Sequence, residues 1–289
     1  MSDLTATLNG APKAYAYAST AAASTAADFL ALPDRSAKPR VSGVTHVLDK
    51  GAPISVLEGY LASAAAHVDI VKIGWGISYV DAKVRDRVAV CKAAGVLVSL
   101  GGTLLEIAAA QGRMTEFVRW AKSIDVDCVE VSNGLERLSI VRKKALVHAL
   151  AGDFIVLAEA GAKDAKAPVA AAAWAEEMAG DLEAGARWVI AEGRESGTVG
   201  LYEPDGSVRV QVVDGLARLV GWDRVIFETP RKSQQMWFIT RFGSDVNLGN
   251  IPPEELLPLE TLRIGLRADT APMPMRASTI RRLRISGTC

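Results

Sequence analysis

The chain reads as a single (β/α)8 TIM barrel preceded by an N-terminal extension, and three observations in the sequence predict it. Eight short apolar runs alternate with helical patterns, the strand count that closes this fold. Charged and amide residues collect just after nearly every run, where such a barrel keeps its catalytic face. The rival architecture, a doubly wound sheet, announces itself with a glycine-rich turn after its first strand. Here that turn is Asp49-Lys50-Gly51-Ala52-Pro53, which lacks the pattern.

Taken in order, residues 1–25 are rich in Ala, Ser and Thr without an apolar period, and read as an extension or oligomer arm. Residues 28–40, broken by Pro33 and Pro39, read as the connector into the barrel. Strand one is expected at 44–48 and an amphipathic helix at 54–65. Strand two at 70–73 leads to a helix at 81–94, where Val84, Val88 and Cys91 recur at helical spacing. Further strands are expected at 96–100, 128–131, 154–158, 188–191, 225–227 and 246–248. Helical stretches at 104–111, 114–123, 135–151, 167–184, 208–220 and 236–242 fall between them. Pro252 and Pro253 followed by Glu254 and Glu255 read as a helix start, with proline in the first turn and acids near the positive end of the dipole. The barrel is thus expected over 41–270, after an extension and connector at 1–40 and before a solvated tail at 271–289.

Composition narrows the partners. Lys plus Arg equal Asp plus Glu at 33 each, so no overall charge argues for nucleic acid or a membrane surface. Cys91, Cys128 and Cys289 show no ligand-like spacing, which speaks against a disulfide framework or structural zinc. No apolar run approaches the roughly 20 residues of a membrane span, and the N-terminus lacks the basic and apolar regions of a signal peptide, so a cytoplasmic protein is expected. His46, His67 and His148 are scattered and support no histidine metal site, although His46 falls within strand one, where it could face the barrel interior.

The strand ends carry the chemistry. Asp49 and Lys50 end strand one, Lys72 and Trp75 strand two, and Gly101, Gly102 and Thr103 strand three. Glu130, Ser132 and Asn133 end strand four; Glu159 and Lys163 strand five; Glu192, Arg194 and Glu195 strand six; Glu228 strand seven; Asn247 and Asn250 strand eight. Carboxylates converging on one mouth repel unless a cation neutralises them, and Mg²⁺ favours oxygen ligands, holding few carboxylates plus waters and substrate. Lys50, Lys72, Lys163, Arg194 and Lys232 suit a multiply charged small anion. The Gly249-Asn250 turn feeding a helix start is a plausible anion cradle. The competing reading is that these acids and bases only pair and stiffen the rim.

The motifs LDKG at 48–51, VKIGWGIS at 71–78, GGTLLE at 101–106, EVSNG at 130–134, EAGAKD at 159–164 and EGRESG at 192–197 occupy the strand ends. KSQQ at 232–235 and VNLGNIPPEE at 246–255 follow. In this combination and order the sequence resembles the phosphosulfolactate synthase family. The resemblance implies a (β/α)8 barrel, often a homo-oligomer, and a C–S bond-forming lyase. It would add sulfite to phosphoenolpyruvate with Mg²⁺ for coenzyme M biosynthesis.

Given that activity, Glu130, Glu159 and Glu192 are the expected metal ligands. Arg194, Lys232, Gln234, Asn247, Gly249 and Asn250 are the expected substrate contacts. Lys163 is the expected proton donor, with Lys50 or Lys72 in reserve. Three positions depart from the family pattern: Asn133 stands where Asp is common, Ala162 where a lysine often precedes Lys163, and Gly193 where the family has Ala. These leave open a diverged, non-catalytic or stress-related barrel, or an enzyme that adds a different nucleophile.

Overall fold

The computed structural model describes residues 29–134, 138–161 and 170–271. Eight parallel strands close into one barrel in sequence order. They are β1 (Thr45–Asp49), β2 (Ile70–Ile73), β3 (Leu97–Leu100), β4 (Cys128–Val131), β5 (Ile155–Ala160), β6 (Trp188–Ala191), β7 (Val225–Glu228) and β8 (Leu248–Ile251). Around them lie α1 (Ile54–Ala64), α2 (Ile77–Val80), α3 (Val84–Ala93), α4 (Gly102–Ala110), α5 (Met114–Ser123), α6 (Ile140–Leu150), α7 (Ala171–Glu183), α8 (Val210–Leu216), α9 (Lys232–Phe242) and α10 (Leu256–Arg263).

Because successive side chains in a strand point to opposite faces, each strand serves two cores. Val47, Val71, Val98, Val129, Val156, Val189 and Phe227 face outward to the helices. Val44, Ile70, Leu97, Cys128, Leu157, Trp188, Ile190 and Ile226 fill the lower interior. Two residues after these inner positions come His46, Lys72, Ser99, Glu130, Glu159, Glu192 and Glu228, all buried. The apolar plug closes the bottom, so ligands have access only at the carboxyl ends of the strands.

The connector belongs to that floor. Arg35 pairs with Glu260 at 3.1 Å and Asp245 at 3.0 Å, and Arg40 pairs with Asp69 at 3.2 Å. Lys38 Nζ donates to the carbonyls of Ala65 and Gly95, which end the helical segments before β2 and β3.

Two expected elements are displaced. The helix expected at 81–94 is shortened to α3, with α2 a separate short helix before it, and Asp81 between the two accepts Arg87 Nε at 2.8 Å. The last strand is not 246–248 but Leu248–Ile251. Before it, Val246 gives its carbonyl to Arg263 Nη1. Asn247 spends its carboxamide on backbone, accepting from Val44 N at 2.9 Å and donating to Asp223 O at 2.8 Å.

Candidate active site

The interior carboxylates and Lys72 meet at the barrel mouth. One cavity there is lined by Leu48, Lys72, Trp75, the Gly101-Gly102-Thr103 turn, Glu130, Glu159, Glu192, Arg194, Glu195, Glu228 and Asn250. Residues from all eight strand ends therefore face one space. A larger groove on the outer surface, bordered by Tyr79, Ile107, Phe117 and Trp120, is apolar and carries no comparable chemistry.

Lys72 is the centre of the charge arrangement. Its Nζ lies 3.2 Å from Glu130 Oε1 and 3.2 Å from Glu228 Oε1, joining β2 to β4 and to β7. Burial by itself lowers a lysine pKa. Here Glu130, Glu228, Glu159 and Glu192 outweigh burial and raise it above the ordinary value. Burial likewise works to raise the Glu130 carboxyl, but Lys72 and then His46 hold it well below its usual range.

The second oxygens of these carboxylates are held by backbone. Glu130 Oε2 accepts from Gly102 N at 3.2 Å. Glu228 Oε2 accepts from Gly193 N at 2.9 Å and Arg194 N at 2.8 Å, consecutive amides curled around one anion. That curl requires Arg194 at φ 56°, and Trp75 at φ 50° and Asn250 at φ 54° share its left-handed backbone. Such conformations cost on the order of 1–3 kcal/mol in non-glycine residues and collect at functional sites. All three line the same cavity. Asn250 is nearly buried, and its Oδ1 has no hydrogen-bond partner among the described residues.

Gly193 is fixed by packing. A Cβ there would stand 2.7 Å from Tyr202 Cε2 and 2.8 Å from Glu228 O. Tyr202, fully buried, donates its hydroxyl to that same carbonyl. The departure to glycine is thus matched by a bulky neighbour.

Lys72, Glu130, Glu159, Glu192, Arg194 and Asn250 all line the cavity, and Gly249 lies beside it in the barrel wall, against Ile226 and His46. Lys163 lies outside the described residues. Lys50 is exposed and does not border the cavity. Lys232, 43% exposed, pairs with Asp269 at 2.7 Å. Gln234 is buried and clips the loop after β6, donating to Gly197 O and Gly206 O. Asn247 sits at the amino-terminal end of the strands, opposite the mouth, because β8 starts after it. Lys50, Lys232, Gln234 and Asn247 therefore lie outside the lining of this cavity.

Asn133 also lies off the cavity. Its Nδ2 donates to Leu138 O at 2.7 Å and its Oδ1 accepts from Leu138 N at 2.9 Å. Asp49 is committed to Arg87 at 2.6 Å. Sequence reasoning noted Glu228 at a strand end but gave it no role, and it passed over the Gly102 and Gly193 amides. The period-two spacing of Ile226 and Glu228 was the available signal for the first; amide directions leave no trace in a sequence.

Several known proteins resemble this chain over most of its length. The sequence pattern of (2R)-phospho-3-sulfolactate synthase (ComA) matches residues 33–269. The phosphosulfolactate synthase of Bacillus subtilis is 38% identical over 247 residues, covering 84% of this chain and 98% of the relative. That of Methanocaldococcus jannaschii is 42% identical over 234 residues, covering 79% and 93%. Among solved structures, 3-hexulose-6-phosphate synthase from Salmonella typhimurium superposes with a TM-score of 0.51 at 13% identity, over 75% of this chain and 96% of that one, a likeness of fold alone. With the matched region spanning the whole barrel, the chain is an enzyme of the phosphosulfolactate synthase family.

Proposed function

We propose that this chain joins sulfite to phosphoenolpyruvate. The observation that carries the reading is a cavity at the barrel mouth in which one buried ammonium, Lys72, is ringed by glutamates from four strands. Five carboxylates line it (Glu130, Glu159, Glu192, Glu195 and Glu228) against two described cations, Lys72 and Arg194. A small anion entering so acidic a space needs a further cation.

Mg²⁺ fits that requirement. Among the described residues no three His, Cys, Asp or Glu side chains form a ready cage, and Mg²⁺ characteristically binds one or two carboxylates plus substrate oxygens and water. Glu159 and Glu192, on neighbouring strands β5 and β6, are the pair we assign to it. Glu130 leaves the expected set because Lys72, His46 and the Gly102 amide already surround it. Bound there, the ion would supply Lewis-acid stabilisation of the carboxylate beside the reacting carbons.

In the reaction, the sulfur lone pair of sulfite forms a bond to the methylene carbon. The double-bond electrons move toward the adjacent carbon and its carboxylate, and a proton then reaches the carbon that bears the phosphate. Arg194 and Asn250, at the ends of β6 and β8, bind the phosphate, as loops after the last strands do in many barrels. Lys72 is a poor proton donor in this environment, since its neighbours strengthen its hold on the proton. Its part is to fix the charge of the substrate carboxylate. Lys163 retains the role of acid.

The test is incubation of the purified protein with Mg²⁺, phosphoenolpyruvate and sulfite, with mass spectrometry of the products. Formation of the phosphorylated sulfonate supports the reading; binding of phosphoenolpyruvate without a sulfonate contradicts it.

A further inference from the structure

The reaction above leaves one buried imidazole without a task. His46 lies on β1 beneath the cavity, fully buried, with Nε2 3.2 Å from Glu130 Oε1. Lys72 Nζ approaches the same oxygen at 3.2 Å from above. Both are close ionic approaches, and Glu130 Oε1 accepts no hydrogen bond by geometry among the described residues. Glu228 differs: its Oε1 accepts a hydrogen bond from Lys72, and its Oε2 accepts two from backbone.

The ring is seated deliberately. Gly249 leaves the space beside it, where a Cβ would stand 3.3 Å from His46 Nδ1 and 2.9 Å from Ile226 Cγ2. The interior below is apolar, formed by residues such as Leu157, Ile190 and Ile226. A polar ring at such a depth is costly unless it is bonded, and Glu130 is the partner within reach.

Lys72 can meet a substrate anion only by loosening its hold on the flanking carboxylates. Removing the cation from a buried carboxylate is strongly unfavourable unless other donors remain. Glu228 keeps two amides, but Glu130 keeps only the Gly102 amide. We propose that His46 is the missing donor, a positioning residue whose Nε2–H takes Glu130 Oε1 as the Lys72 ammonium turns toward the substrate. The proposal rests on the substrate reading above. No proton changes hands: the neutral ring with its hydrogen on Nε2 suffices. In the free protein Glu130 Oε1 waits between two donors; with substrate bound it settles on His46.

Two variants separate this role from packing. His46→Leu keeps much of the bulk and removes the donor, whereas His46→Gln keeps a donor at the end of the chain. The expected result is a fall in kcat of roughly ten- to a hundredfold for His46→Leu, the loss of a hydrogen bond to a charged group. KM should change little, and His46→Gln should recover most of the rate. Equal impairment of both variants, or none in either, overturns the proposal.

A second measurement needs no turnover. With three histidines in the chain, long-range proton–nitrogen spectra of the rings can be assigned with His46→Gln. The His46 signals should show the Nε2–H form, and should move in Glu130→Gln and again when phosphoenolpyruvate is added to the parent. A His46 ring unmoved by Glu130→Gln overturns the contact. If that ring moves but the parent makes no sulfonate, it is the substrate reading that has failed.

Discussion

Lys72 Nζ donates to Glu228 Oε1 at 3.2 Å, tying β2 to β7 across the barrel mouth. The same ammonium stands 3.2 Å from Glu130 on β4. This bridge is a stability element as well as a site. Replacing Lys72 by Met should leave two buried carboxylates without their cation, a loss of about 3–5 kcal/mol. A double variant, Lys72→Met with Glu228→Gln, should regain part of the stability while remaining inactive. Thermal unfolding with parallel turnover assays checks both; a lone Lys72→Met as stable as the parent would mean that the bridge is not formed.

Acid should weaken the same cluster. Glu130 has its folded pKa depressed, so its contribution to stability is present above the unfolded value of about 4.3 and is lost as pH falls from there toward the folded value. Lys72 has its pKa raised, so its contribution is intact below about 10.4 and is lost only as pH rises beyond that toward the folded value. Denaturant midpoints should therefore drop as pH falls from about 4.3 toward about 2, and the drop should be shallower in Glu130→Gln. An identical acid slope in parent and variant would contradict the depressed pKa.

Restoring alanine at position 193 should be harmful in this chain. Its Cβ would meet Tyr202 Cε2 at 2.7 Å and Glu228 O at 2.8 Å, an overpacking that typically costs about 1–3 kcal/mol. Tyr202→Leu in the same chain should relieve part of it. Denaturant titration of the two variants checks the pairing.

Asn133→Asp likewise should not create a metal ligand. The Asn133 amide is committed to both backbone groups of Leu138, and a carboxylate would set an acceptor against the Leu138 carbonyl. The expectation is a loss of about 1–3 kcal/mol and unchanged Mg²⁺ affinity by titration calorimetry. A gain in affinity would place position 133 at the metal.

The barrel was legible because its evidence is periodic: Cys128 and Glu130, Leu157 and Glu159, Ile190 and Glu192 each lie two apart on one strand, apolar below and acidic above. The same alternation placed Lys72 above Ile70. What the strand-end positions leave open is set by contacts far apart in sequence. Asn247 reads as a strand-end residue, and its carboxamide bonds Val44, Asp223 and Val225 backbone. Lys232 read as a phosphate ligand, yet its partner is Asp269. Gln234 sits in a motif, but its hydrogen bonds close the loop from Gly197 to Gly206. A motif by itself does not separate a ligand contact from a clip that shapes the loop.

The nucleophile is expected to add to the methylene carbon of phosphoenolpyruvate within the Lys72 cavity. Carbon-13 NMR of phosphoenolpyruvate labelled at that carbon, with Mg²⁺, sulfite and the parent protein, tests it most directly. The vinyl signal should be replaced by that of a saturated, sulfonate-bearing methylene, and this conversion should be lost in Lys72→Met with Glu228→Gln. A vinyl signal that persists with the parent protein, or one that disappears without a carbon–sulfur product, would contradict it.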